Sequence, residues 1–287
     1  MNKLVKTILI WFSIFIVSSA IASTIFVTSS GFLNYTSGNI EKININEQYN
    51  SPINNIENIY VSSLSTNVEI VKRNSSEISF ELTGFYVNNS YTEPPRLNIN
   101  EDEKNIYVSI EYPKRILNLG MAQRELKLKV FIPETYNQSL KIKTASGHIK
   151  SNNLNLESLK AYSISGDINL ENLFTKSADI SSTSGDIISE NLNSTYLELA
   201  SVSGNIKLNN CTPNKIKTTS GDIKIISIVD RDIEIKSTSG DIYIEELGDL
   251  NFKVNFESIS GDFSGDQNSE GKFLIFVKTV SGNLRIS

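Results

Sequence analysis

The chain has 287 residues, 39% of them hydrophobic and 21% charged, a globular composition that excludes a disordered or fibrous chain. Its 27 basic and 32 acidic residues give a net charge of −5, so it lacks the basic footprint that nucleic-acid backbones require. A single cysteine, Cys211, excludes an intrachain disulfide, and a single histidine, His148, excludes a multi-histidine zinc site and leaves one imidazole alone for any Ser-His-Asp triad.

The first element is the apolar run KTILIWFSIFIVSSAIASTIFV, which is followed by no charge until Glu41. Its apolar span of roughly 20 residues suffices to cross a bilayer as a helix. Lys3 and Lys6 precede it, which places the N-terminus in the cytoplasm and the C-terminal domain outside. Ala20-Ile21-Ala22 has the small-x-small form of a cleavage site. Two outcomes follow: a retained transmembrane anchor over residues 1–31, giving a single-pass protein of the cytoplasmic membrane, or an export signal cut near Ala22. With Lys3 and Lys6 set aside, 25 basic residues face 32 acidic ones, so the exported part is more acidic than the whole.

Residues 32–139 read as worn coils of a β-repeat. VSSLSTNVEI, residues 61–70, has Ser65-Thr66-Asn67 where later copies have Ser-Gly-Asp, and YTSGNI from Tyr35 has the same grammar. Alternating strand-like runs follow at residues 77–82, 97–99, 106–110 and 126–132, punctuated by Pro94-Pro95 and Pro133. Two stretches break the pattern. Residues 84–96 set Phe85, Tyr86 and Tyr91 among turn residues, a candidate recognition loop, and residues 113–125 mix apolar and basic side chains.

From residue 140 to 287 the repeat is regular. Eight Ser-Gly corners place glycines at Gly147, Gly166, Gly185, Gly204, Gly221, Gly240, Gly261 and Gly282, spaced 19, 19, 19, 17, 19, 21 and 21 residues apart. Two positions before each Ser stands a hydroxyl residue, and three after it stands Ile, Leu or Phe. Eight after the first four come Leu154, Leu173, Leu192 and Cys211. A unit of about 19 residues cannot bury its own apolar face, so successive units must stack and share interior columns. The sequence therefore predicts an all-β, single-stranded β-solenoid continuous from the worn coils to the C-terminus, with Cys211 buried as a small hydrophobe.

Glycine suits a sharp corner because it adopts positive φ, and the Asx side chain beside it closes a turn. The corner is thus a coiling code. Its recurring acids, Asp167, Asp186, Asp222, Asp241 and Asp262, form a column that would take Ca²⁺ weakly if the coils are in register, and Ca²⁺ is the one cofactor the residues suggest. His148 stands in that column as an Asx substitute. Carboxylates repeated in every coil lack the unlike environments that separate a catalytic acid from a base, so no enzyme is expected. The C-terminal LRIS is read as an unpaired strand edge open to self-association.

The order of a membrane segment, IENIYVSSLSTNVEIV, LKLKVFIP and serial SGDI units resembles the bacterial "putative adhesin" family, proteins of unknown function built of β-strand repeats. The resemblance covers residues 55–287. It implies a right-handed β-helix in a cell-envelope protein and brings no catalytic residues. The expected function is binding or scaffolding of a cell-wall polymer or an envelope protein. The alternatives are an extracytoplasmic sensor of envelope stress and a polysaccharide-active enzyme.

Overall fold

The computed structural model describes residues 41–88, 93–112, 124–227, 231–245, 252–265 and 271–287. The N-terminal apolar segment, the Tyr35 motif, Tyr91 and residues 113–123 lie outside them. Every described element is a strand, and all join one sheet system. No described helix is long and apolar enough to cross a membrane.

The N-terminal part contains β1 (Glu41–Pro52), β2 (Asn58–Ser63), β3 (Asn67–Arg73), β4 (Glu77–Asn88), β5 (Arg96–Glu101), β6 (Asn105–Glu111) and β7 (Arg124–Pro133). The four strand runs read from alternation fall within β4 to β7. β8 (Ser139–Thr144) leads into three 15-residue strands, β9 (Ile149–Ser163), β10 (Ile168–Ser182) and β11 (Ile187–Ser201). Shorter strands follow: β12 (Ile206–Asn209), β13 (Lys215–Thr218), β14 (Ile223–Ile226), β15 (Ile233–Lys236) and β16 (Ile242–Glu245). The chain ends with β17 (Phe252–Glu257), β18 (Phe263–Ser264), β19 (Phe273–Lys278) and β20 (Leu284–Ile286).

The coils stack in parallel with equivalent residues over one another, as the repeat predicts. Ile149, Ile168, Ile187, Ile206, Ile223, Ile242, Leu284 and Phe263 are direct register neighbours in one column. Ile142, Ala161, Ile180, Leu199, Ile216, Ile235, Val277 and Phe256 form a second. Leu154, Leu173 and Leu192 make a third. Cys211 continues it with its Sγ 3.2 Å from the Leu192 N–H, and burial raises the thiol pKa, so Cys211 is an inert interior group. Nearly all these side chains are solvent-excluded, and the interior is one contiguous apolar core.

The physical role of the corner glycines differs from the expected one. Among the described glycines only Gly84 and Gly265 have left-handed φ. The corner glycines are required by close approach instead. A Cβ on Gly185 would lie 2.2 Å from the carbonyl oxygen of Gly166, and each corner from Gly147 to Gly282 meets its stacked neighbour at 2.0 to 2.2 Å. The left-handed positions belong to a second corner, where Asn153, Asn172, Asn191 and Asn210 have φ of 52° to 58°. Asparagine tolerates that conformation better than most residues. Its amides also stack: Asn191 Nδ2 donates to Asn172 Oδ1 at 3.0 Å, and Asn210 Nδ2 to Asn191 Oδ1 at 2.8 Å.

Stacking order departs from chain order at both ends. β2 and β3 lie between the following coil, β8 and β9, and the outer strands β6 and β7. β4 and β5 are not worn coils. They run antiparallel to β7 and β6 and cover that end of the stack, and β1 pairs with β4. At the other end β19 and β20 insert between β15–β16 and β17–β18. The LRIS strand is therefore not an edge. Leu284 and Ile286 are buried between two neighbours, and the outermost described coil is β17–β18.

Replacing Gly185 by Ala should destabilise the fold by about 1–3 kcal/mol or more, because the backbone must shift to admit the methyl group. Urea melts of the variant check this. Truncation after Asn283 should remove two buried side chains worth roughly 1.5–3 kcal/mol each and lower the melting temperature. An unchanged melt would show that β20 is dispensable.

Candidate functional site

The Asx column is built by its own hydrogen bonds. Asn67 Oδ1 accepts the His148 N–H at 2.9 Å, which confirms Ser65-Thr66-Asn67 as a worn corner. His148 Nδ1 accepts the Asp167 N–H at 3.0 Å, so the imidazole does the work of an Asx side chain. Asp167 accepts from Asp186 at 2.9 Å, Asp186 from Asn205 at 2.8 Å, Asn205 from Asp222 at 3.0 Å and Asp222 from Asp241 at 2.9 Å. Asp241 then accepts from Asn283, and Asn283 from Asp262, each at 2.9 Å, which follows the stacking order and not the chain order. Each inner carboxylate thus holds a backbone N–H of the next coil, a charge-assisted bond. No group of three or more His, Cys, Asp or Glu side chains among the described residues is placed to hold a metal ion.

The hydroxyl column closes the same corners from inside. Thr144 and Ser201 donate to the carbonyls of Gly147 and Gly204 at 2.6 and 2.7 Å. Ser237, Ser258 and Thr279 accept the N–H groups of Gly240, Gly261 and Gly282. Where the column reaches β2 and β3 it ends on Tyr112. Its phenol oxygen lies 2.7 Å from Thr66 Oγ1 and accepts the N–H groups of Thr66 and Ser65 at 3.1 and 3.3 Å. Burial alone would raise the Tyr112 pKa, but the donors around the oxygen outweigh it and lower it.

Of the expected recognition residues, the two that are described, Phe85 and Tyr86, lie in a strand and not in a loop. Phe85 and Tyr86 belong to β4, opposite Glu125 and Arg124 of β7, and Tyr86 is buried. Phe85 is half-buried under the Lys42 ammonium, 4.0 Å from its ring centroid. These two aromatics cover the end of the stack.

Two surface features were not read from the sequence. The residue at each corner tip, before the Ser-Gly pair, forms a ridge in which Leu64, Ile164, Val202, Val280 and Ile259 are exposed, Ile259 to 83%. Backbone bonds such as Ser165 N to Ala145 O at 2.8 Å hold the tips in line. Their signal was the aliphatic residue recurring one place before the motif, hidden because Thr takes the same place in other coils.

Beside the ridge, β2, β6, β8 and the end of β9 line an open groove of about 550 Å³ bordered by Ser62, Leu64, Ile110, Lys141, Lys143, Tyr162 and Ile164, with Ala145 between the two tips. That volume falls within the range of small-ligand sites. Lys143 lies over the Tyr162 ring, 5.8 Å from its centroid. The Tyr162 phenol donates to Asp179 Oδ2 at 2.6 Å, and burial followed by that carboxylate pushes its pKa well above the usual tyrosine range.

Residues 56–287 match the family model described as Toastrack DUF4097. The chain belongs to that family. A search of curated proteins finds no match. Among solved structures, a "putative adhesin" from Bacteroides fragilis is 12% identical with a TM-score of 0.50, over 86% of this chain and 97% of that one. A "putative adhesin" from Parabacteroides distasonis is 11% identical with a TM-score of 0.49, over 87% and 98%. A third, from Parabacteroides merdae, is 13% identical with a TM-score of 0.45, over 87% and 98%. At such identities the likeness is one of fold. The Toastrack domain begins at the first coil and takes in both the Asx ladder and the groove.

Tyr112→Phe should cost about 1–2 kcal/mol, since it strips a shared acceptor from buried donors while keeping the ring. A thermal melt compared with the wild type checks this.

Proposed function

We propose that this Toastrack protein is a non-catalytic cell-envelope ectodomain that binds or scaffolds another envelope component, held outside the cytoplasmic membrane by its N-terminal segment. The observation that carries the reading is the division of labour on the coil surface. The corner acids Asp167, Asp186, Asp222 and Asp241 are engaged in coil-to-coil hydrogen bonds. The side chains left exposed are a ridge of aliphatic tips and a groove beside it, which suit recognition. The remaining candidates are equally unsuited to reaction: Cys211 is buried with a raised pKa, and the exposed His148 uses Nδ1 as an acceptor.

The apolar run after Lys3 and Lys6 supports the membrane part of the reading. The fold neighbour from Bacteroides fragilis, described as a "putative adhesin", agrees with a binding role. Surface attachment suits a stack whose exposed columns repeat at fixed spacing, because a repeating polymer meets equivalent groups along it.

The reading is tested in intact cells with photoreactive side chains at Val202 and Ile259. The chain should fractionate with membranes, external protease should cut the coils, and irradiation should give a discrete crosslinked species. A protease-shielded cytoplasmic chain, or turnover of a glycan panel by the purified protein, would overturn it.

A further inference from the structure

The two outward columns on the face preceding the Ser-Gly corners carry charges in both the earlier and the later coils, and the charges are treated differently in the two. In the later coils the lysines are neutralised within the face. Lys215 pairs with Glu234 at 3.6 Å, Lys217 with Glu198 at 3.2 Å and Lys278 with Glu257 at 3.0 Å, and Lys236 also pairs with Glu234. In the earlier coils the same columns hold Lys141, Lys143 and Lys160, and no carboxylate lies within ion-pair distance of these three among the described residues. Asp179, the register neighbour of Lys160, is held by the Tyr162 phenol instead.

A chain with a net charge of −5 thus keeps a local positive site, and Lys141 and Lys143 project into the groove. Residues two apart on a strand share a face at a separation of roughly 7 Å. Two such ammonium groups, with the Ser62 and Ser109 hydroxyls between the same strands, match a multi-oxygen anion better than a single carboxylate. The opposite wall is apolar. Leu64, Ala145 and Ile164 occupy consecutive rungs, with Leu64 61% and Ile164 55% exposed, and Ile110 lies at the base.

We propose that this groove binds an anionic phospholipid, with the phosphate at Lys141 and Lys143 and the first part of an acyl chain against Leu64, Ala145 and Ile164. Cationic groups close to an apolar wall are the complement of an amphiphilic anion, whereas a free phosphate would leave that wall unused. The assignment of a lipid source rests on the membrane reading above.

The full chain is mixed with phosphatidylcholine vesicles that carry a trace of phosphatidylglycerol with a diazirine in its acyl chain. After irradiation, peptides bearing lipid are mapped by mass spectrometry. Labelling is expected at Leu64, Ala145 or Ile164, and the same diazirine in phosphatidylcholine should label there at least tenfold less. The double variant Lys141→Gln/Lys143→Gln should reduce labelling at least tenfold, and Ile164→Asn several-fold. Circular dichroism melts like the wild type's would show that these surface changes leave the fold intact.

Equal labelling by the two probes, or unchanged labelling in the double variant, overturns the proposal. Loss of labelling to millimolar inorganic phosphate overturns the lipid assignment. Flotation of the chain with vesicles is read separately and reports anchoring, so failure of the membrane reading and failure of the groove site give different results.

Discussion

The structure depends on how closely one coil's corner lies beneath the next. At each Ser-Gly-Asx corner the glycine Cα sits so near the preceding carbonyl oxygen that a methyl group would overlap it. This contact fixes the vertical alignment of coils, and the interior columns follow from it. A one-residue slip would turn every inward aliphatic outward and would also place a side chain under a carbonyl. Thr66 is the informative exception. Its carbonyl receives Gly147 from one side, but Tyr112 lies on the other in place of a stacked corner, so a side chain fits there.

Polar groups reinforce the same alignment. The Asx ladder satisfies the N–H beside each glycine, the hydroxyl column closes the turn from within, and the asparagine amides join the second corner between coils. Many polar atoms therefore find partners within the corner or in the neighbouring coil, while the buried hydroxyls of Ser151 and Ser182 have none among the described residues. Acids that look like a metal-binding row in the sequence act here as hydrogen-bond acceptors. Stability and recognition are accordingly carried by different columns of the same coil.

A repeat solves its interior but leaves two ends to be covered. Here both ends depart from simple winding. At one end the first coil is slotted beneath strands that come later, and antiparallel β4 and β5 run along the outer strands. At the other, the last coil is inserted one place inward, so the chain terminus is tied between neighbours on both sides. Departures from the repeat also shape the groove, whose walls come from β2, β6, β8 and β9 where worn and regular coils meet.

The amino-acid sequence by itself determined the all-β class, the coil length, the interior columns including Cys211, and the role of His148 and Asn67 as corner acceptors. Each of these is a periodic property, and stacking converts sequence period directly into spatial column. The tertiary structure alone decided why the corners are glycine, since close approach is a relation between coils that no single turn reveals. It also decided the order of coils at both ends, the placing of Phe85 and Tyr86 in a covering strand, and which lysines lack a carboxylate partner among the described residues. These rest on contacts between residues as far apart in the chain as Val61 and Ile142, or Asp241 and Asn283, and on strand pairings whose energies do not depend on chain order.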